Sequence, residues 1–227
     1  MKKTFASLFR RPAETGPLDE SSHPKSYFTQ VFLRNYWGGK LSKSGPGSEG
    51  EPAKQKVAIL KQIITGYKVF SVLDLGCGDF YWMQEIAPLV GRYHGVDVVE
   101  PLIDANRKRF GGAQVSFQRI DLSDPRQQQS LLLRNVDLVV CLDVLGHLLN
   151  KEVDSLMRFI FYDVQARFFL VTNRREEGSV DYLKREKTRF EGIDIEQHPL
   201  FLERHPRRLK QIPGLYPNDF FVLYELT

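Results

Sequence analysis

Four acidic residues, two glycines and one histidine carry the chemistry open to this chain. Asp74 lies inside the apolar run Val72-Leu-Asp-Leu75, where a carboxylate is costly unless something binds it. Gly76 and Gly78 follow at once in Gly-Cys-Gly-Asp79, and glycine lets a backbone take positive φ and come close to a ligand. Asp97 stands nineteen residues after Gly78, in His94-Gly-Val-Asp-Val98, where an acid at a strand tip can accept from both hydroxyls of a ribose. Asp121 ends Phe117-Gln-Arg-Ile-Asp and precedes Leu122. Asp143 and His147 share the stretch Cys141-Leu-Asp-Val-Leu-Gly-His147-Leu. A histidine can take up a proton near neutral pH.

These residues need strands ending at one edge of a sheet. The expected strands are Ser71–Leu75, Arg92–Val98, Val115–Ile120, Val136–Cys141 and Arg167–Thr172, with a sixth at Ile193–Gln197 and a final one at Asp219–Leu226. Helices are expected before and between them, at Lys25–Asn35, Pro52–Tyr67, about Tyr81–Leu89, Pro101–Phe110 and Asn150–Phe161. The segment Asp124–Leu133 reads as a loop or a short helix. Phe28, Val31 and Phe32 are spaced for the buried face of the first helix, and Val57, Leu60, Ile63 and Ile64 for that of the second. Strands alternating with helices imply an α/β fold whose mostly parallel sheet carries helices on both faces.

The glycine turn separates two ligand classes. A dinucleotide fingerprint needs a third glycine at position 81, and the chain has Tyr81 there. Leu73-Asp-Leu-Gly-Cys-Gly-Asp79 resembles the first motif of class I S-adenosylmethionine-dependent methyltransferases. The resemblance implies a Rossmann-like seven-stranded sheet of order 3-2-1-4-5-7-6 with strand 7 antiparallel. It also implies S-adenosyl-L-methionine over Asp74, Gly76, Cys77, Gly78, Asp97, Val98, Asp121 and Leu122, with Asp121 at the adenine amino group. Asp143-Val-Leu-Gly-His147-Leu is similar to the Asp-Val-Leu-x-His-Leu stretch of many small-molecule methyltransferases. It implies Asp143 near the donor, and Asp143 and His147 as the catalytic candidates, with Asn173 near the acceptor. His147 can equally be a structural histidine at a helix start. Asp97 has the alternative role of a helix cap, and Asp121 that of a turn former.

Ahead of the first strand, Trp37-Gly-Gly-Lys-Leu-Ser-Lys-Ser-Gly-Pro-Gly-Ser-Glu49 is dense in glycine and serine. It resembles a segment of a poorly characterised bacterial group of these methyltransferases. The resemblance makes it a lid over the cofactor, with Trp37, Ser44 and Gly45 as contacts; the alternative is a flexible linker.

Composition bounds the rest. The chain has 227 residues, 42% of them hydrophobic, two cysteines and a formal net charge of +4. That suits one decorated α/β domain. Residues 1–50 are expected to form an N-terminal arm, a short helix and the lid, and residues 51–227 the methyltransferase domain. No apolar run approaches a membrane span of about 18 residues, and the basic start lacks the apolar core of a secretory signal. A cytoplasmic protein is expected. Cys77 and Cys141 read as free thiols, and no Cys/His spacing suggests a metal. The concentrated basic run Arg204-His-Pro-Arg-Arg-Leu-Lys210 is read as a charged loop or helix end, the alternative being a contact for phosphate or RNA. The expected activity is methyl transfer to oxygen or nitrogen of a small molecule, a sugar or nucleotide sugar first. A regulatory module that binds S-adenosylmethionine without turnover, an RNA methyltransferase and a nicotinamide oxidoreductase are the alternatives.

Overall fold

The computed structural model describes residues 18–19, 22–131, 135–174, 192–214 and 218–226. Most of the expected N-terminal arm and the centre of the segment after the fifth strand lie outside them. The chain divides into two compact units, Met1–Val72 with Gly76–Asp121, and Leu73–Leu75 with Leu122–Thr227. Its seven strands are ordered β3-β2-β1-β4-β5-β7-β6, as the resemblance implied. Among the described residues no helix is long and apolar enough to cross a membrane.

The first unit contains α1 (Pro24–Arg34), α2 (Gly50–Tyr67), the start of β1 (Ser71–Leu75), β2 (Arg92–Asp97), α3 (Glu100–Phe110) and β3 (Val115–Arg119). β2 and β3 run parallel, in register from Tyr93↔Val115 to Asp97↔Arg119. Pro24 starts α1, where a missing N–H costs nothing. Leu60 and Ile63 are fully buried on α2, with Val57 and Ile64 nearly so, so its spacing gave the right face. On α1 the buried residues are Pro24, Tyr27 and Val31; Phe28 and Phe32 are half-buried. Those two rings serve the lid loop instead, Phe28 edge-on to Trp37 and Phe32 beneath the Lys43 ammonium.

No α-helix forms over Tyr81–Leu89. The segment is two 3-10 turns, Met83–Glu85 and Ala87–Leu89. Phe80, just ahead of them, has φ +63, and Pro88 lacks the N–H that an α-helix would use. The Phe80 ring compensates for its backbone. It packs 5.1 Å from Tyr93, 4.9 Å from Phe110 and 5.0 Å from Phe117.

The second unit contains the end of β1, α4 (Pro125–Gln129), β4 (Leu138–Cys141), α5 (Asn150–Arg158), β5 (Phe168–Arg174), α6 (Pro199–Arg204), β6 (Arg207–Pro213) and β7 (Asp219–Glu225). β4 and β5 are parallel, and β7 is antiparallel to both β5 and β6. All of β1 and β4 is buried, which explains their unbroken apolar runs. α5 ends earlier than its pattern suggested, and Phe159–Val164 continues as π-helix.

The expected sixth strand is displaced. Ile193–Gln197 holds a 3-10 turn at Ile195–Gln197, and the edge strand is the basic run itself. Strand β6 carries Arg207, Arg208 and Lys210, a register irregularity between Arg208 and Lys210, and Pro213. Charge, bulge and proline are the devices that keep an open edge from pairing with another chain. Arg207 pairs with Glu225 and Arg208 with Glu196, so the run is in part a neutralised structural edge.

Candidate functional site

The glycine turn lies in the first unit and is locked by its own backbone. Gly76 and Cys77 both donate their N–H to the Val96 carbonyl at 2.9 Å. Gly78 donates to Asp97 Oδ2 at 3.1 Å, and Asp79 to Ser44 Oγ at 2.8 Å. Gly76 and Gly78 have φ of +77 and +56, the left-handed region that a side chain enters only with strain. On the far side, Asn106 donates its amide to the Gly78 carbonyl at 2.8 Å. Gly95 completes the packing, because a Cβ there would lie 3.0 Å from Cys77 Sγ. Among the described residues the turn therefore keeps all four N–H groups for itself and directs none at a ligand.

Asp97 caps this arrangement. Besides Gly78, its carboxylate accepts from Val99 N at 3.0 Å and from the Val98 N–H. Burial pushes its pKa up, the three backbone donors pull it down, and the Asp79 charge adds to the rise. Capping and binding a ligand are compatible, since three N–H donors leave one of the carboxylate's four lone-pair sites free.

The lid loop is built onto this turn. Glu49 accepts from Leu41 N at 2.7 Å, Ser42 N at 3.1 Å and Lys40 N at 3.2 Å, and the Leu41 bond leads the causes that lower its pKa. Asp79 grips the loop from the other side. Its Oδ1 accepts from Ser42 Oγ at 3.0 Å and its Oδ2 from Lys43 N at 2.7 Å. Gly45 has φ +100, and a Cβ there would meet the Trp37 ring at 3.0 Å. The expected Trp37, Ser44 and Gly45 are thus brought together. Asp79, Glu49 and Ser42 hold them, and none of those three was singled out. Only Asp79 left a trace in the sequence, as a second acid beside the glycines. Asp121 is buried in this unit, with His23 Nδ1 3.6 Å from its Oδ2.

Asp74, Leu122, Asp143 and His147 belong to the second unit. Asp74 is 4% exposed in β1. The Leu122 carbonyl accepts from buried Gln128 at 2.8 Å. Asp143 is exposed, with φ +59. Thr172 holds it at both ends, its hydroxyl accepting from Asp143 N at 3.0 Å and donating to Oδ1 at 3.1 Å. Thr172 lies 29 residues further on, and nothing in the sequence linked them. His147 ends the 3-10 turn Leu145–His147 and is half-buried. Cys141 is a buried thiol, raised far above its ordinary pKa by burial and by the charges of Asp74 and Asp143. It stays protonated and is not a nucleophile.

Asn173, expected near the acceptor, is fully buried and serves the fold. It donates to Asp194 Oδ1 at 2.9 Å and accepts from Ile195 N at 2.6 Å. Arg174 makes a two-pronged ion pair with Asp219, opposite it on β7. Among the described residues no group of three or more His, Cys, Asp or Glu side chains is placed to hold a metal.

Comparison with known proteins shows what this fold is similar to. Residues 73–164 match the family model described as a methyltransferase domain. No curated protein sequence matches the chain. Magnesium protoporphyrin IX methyltransferase from Synechocystis PCC 6803, solved with bound S-adenosylhomocysteine, is similar at TM-score 0.63 and 17% identity, over 89% of this chain and 98% of that one. The N-methyltransferase NodS from Bradyrhizobium japonicum WM9, also with S-adenosylhomocysteine, is similar at TM-score 0.64 and 13% identity, over 90% of this chain and 99% of that one. The methyltransferase domain of bacterial CtHen1 is similar at TM-score 0.57 and 15% identity, over 76% of this chain and 98% of that one. The structures establish the Rossmann-like class I fold, and their names already span different acceptors. The matched segment is thus similar to a methyltransferase domain, and two of these similar structures hold S-adenosylhomocysteine, the product of the methyl donor S-adenosylmethionine.

Proposed function

We propose that the chain transfers a methyl group from S-adenosylmethionine to an oxygen or nitrogen of a small molecule, with sugars and nucleotide sugars the first candidates. The observation that supports the donor assignment is the glycine turn. A pyrophosphate needs N–H groups aimed at its oxygens, and this turn has spent all four on Val96, Asp97 and Ser44. A donor with no phosphate and a ribose for Asp97 fits what remains. The same consumption of donors weighs against a nicotinamide cofactor on grounds separate from Tyr81.

When bound, the sulfonium supplies an already activated methyl group, so the protein's part is alignment and proton removal. In this reading Asp74, Gly76, Cys77, Gly78, Asp97, Val98, Asp121 and Leu122 hold the donor, under the loop residues Trp37, Ser44 and Gly45. Asp143 orients the acceptor, with its backbone and one oxygen pinned by Thr172. His147 takes the proton of a hydroxyl acceptor. An exposed carboxylate such as Asp143 can accept a hydrogen bond from a hydroxyl or an amine of the acceptor. The pairing of Arg207 and Arg208 with acids on their own unit gives an RNA acceptor no added support.

Calorimetry should show micromolar binding of S-adenosylhomocysteine, about −7 to −8 kcal/mol, and none of NADH. A screen for S-adenosylhomocysteine formation over sugars, nucleotide sugars, small metabolites and RNA then identifies the acceptor. Donor binding without turnover on any of them would support the regulatory module instead. Binding of NADH in place of S-adenosylhomocysteine would overturn the reading.

A further inference from the structure

We propose that the Ser44 hydroxyl donates its proton to the carboxylate of the donor's amino-acid group. The lid loop thereby becomes part of the binding site and not a cover laid over it. This rests on the donor reading above.

Three observations carry it. First, Ser44 Oγ fills the space beside the glycine turn where a side chain on Gly78 would be. A Cβ at Gly78 would lie 2.4 Å from that oxygen. Second, the turn has no N–H left for a carboxylate, since residues 76–79 donate to Val96, Asp97 and Ser44. An aminocarboxylate placed there needs its donor from another segment. Third, the Ser44 hydroxyl is used on one side only. It accepts from Asp79 N at 2.8 Å, and among the described residues no group accepts its proton. A hydroxyl can accept and donate at once, so the Asp79 bond sets where the oxygen sits and leaves the proton to point away from it.

The surroundings fix that position. Ser44 N donates to Ser42 Oγ at 3.1 Å, and Ser42 Oγ in turn donates to Asp79 Oδ1 at 3.0 Å. Ser48 Oγ donates to the Ser44 carbonyl at 3.3 Å. Asp79 thus holds the loop through its carboxylate and orients Ser44 through its N–H. Asp79 is a positioning residue, and Ser44 is the one that meets the ligand.

The test is a cycle between one hydroxyl and one carboxylate. S-adenosylhomocysteine and its decarboxylated analogue, which keeps the adenosine, thioether and amine, are titrated into wild-type protein and Ser44→Ala by calorimetry. Wild type should prefer S-adenosylhomocysteine at least tenfold, and Ser44→Ala should lose most of that preference while binding the analogue as before. If Ser44→Ala does not fold, Ser44→Cys keeps the size, weakens the donor, and reads the same coupling. Ser44→Thr should retain the preference. Equal weakening of both ligands, or an unchanged preference, overturns the assignment and leaves the donor reading standing. Wild type that binds neither ligand overturns both.

Discussion

Asp97 and Asp143 both stand at or just beyond the end of a strand in a parallel pair, yet they are held in different ways. Asp97 is gripped by backbone, through the N–H groups of Gly78, Val98 and Val99. Burial pushes its pKa up. Asp143 is exposed and is gripped by one side chain, the Thr172 hydroxyl, from the neighbouring strand β5. The first arrangement suits the rigid seat proposed for the donor's ribose. The second depends on one side chain, which suits the acceptor-facing role proposed for Asp143. The same contrast runs through each unit. In the first, the lid loop meets the turn through bonds that mostly involve main-chain N–H groups. In the second, the segment after β5 is sewn on by side chains, through Asn173 with Asp194, Glu196 with Tyr224, and His198 with Asp154.

If the first unit works through backbone, a single Cβ should do the most damage. Gly78→Ala places a Cβ against Ser44 Oγ and keeps a φ that L-residues avoid at about 1–2 kcal/mol. Moving Ser44 aside also breaks its bond to Asp79 N, at roughly 1–3 kcal/mol for a donor left unmet. S-adenosylhomocysteine affinity should fall by about 100-fold or more, with the folded state checked by circular dichroism. Gly76→Val should abolish binding. Near-wild-type affinity in either variant would mean that the turn is not the seat.

The second unit should respond through turnover and not through donor affinity. His147→Asn is expected to lower turnover by about 100-fold, with S-adenosylhomocysteine affinity unchanged. The wild-type rate should rise with pH across the range where histidine loses its proton. A flat pH profile together with near-wild-type turnover would return His147 to a packing role and leave Asp143 as the catalytic candidate.

The contrast also explains what the sequence made legible. Backbone-held features leave local signatures, so the strand before Gly76, the two glycines and Asp97 could be read, as could the strand order once the resemblance was seen. Features held by distant side chains leave none. Nothing in Thr172 marks it as the partner of Asp143, and nothing in Asn173 marks the bonds to Asp194 and Ile195 that use both ends of its amide. Strand β6 was hidden because an edge strand rich in arginine, bounded by Pro206 and Pro213, looks like a loop. The segment after the glycine turn kept an apolar helical spacing, but Phe80 at positive φ and Pro88 divided it into 3-10 turns.

Asp97→Ala should come next in size. It removes a charged acceptor for the ribose, each such bond being worth about 1.5–3 kcal/mol, so S-adenosylhomocysteine affinity should drop at least tenfold. The structure adds a second effect, because the N–H groups of Gly78, Val98 and Val99 lose their acceptor as well. The ligand-free thermal midpoint is therefore expected to fall too. A midpoint loss with affinity intact would confine Asp97 to its capping role.

The smallest effect tests whether side-chain sutures make the second unit sensitive to pH. His198 is 2% exposed and caps α6, its Nδ1 accepting from Leu200 N at 3.1 Å while Nε2 faces Asp154 Oδ1 at 2.9 Å. The accepting Nδ1 requires the neutral ring, with its proton on Nε2. Burial lowers its pKa first of all, helped by the Arg158 charge, and the Asp154 charge and hydrogen bond only partly offset this. The folded histidine thus titrates below its unfolded value of 6.5. Between those two values the unfolded chain binds more protons, so stability rises with pH across that window. Read downward, the contribution is complete above 6.5 and is lost as the pH falls through the lowered folded value. His94, also buried with a lowered pKa, adds a slope of the same sign, so a single melt cannot assign the effect. His198→Asn separates them. Asparagine keeps an N-cap acceptor, worth about 1 kcal/mol, and does not titrate. The variant should melt close to wild type at the acid end and below it near neutral pH, where the lost Asp154 contact counts, with a shallower dependence between. An unchanged slope would assign the whole dependence to His94 and other groups, and the second unit would then be no more titratable than the first.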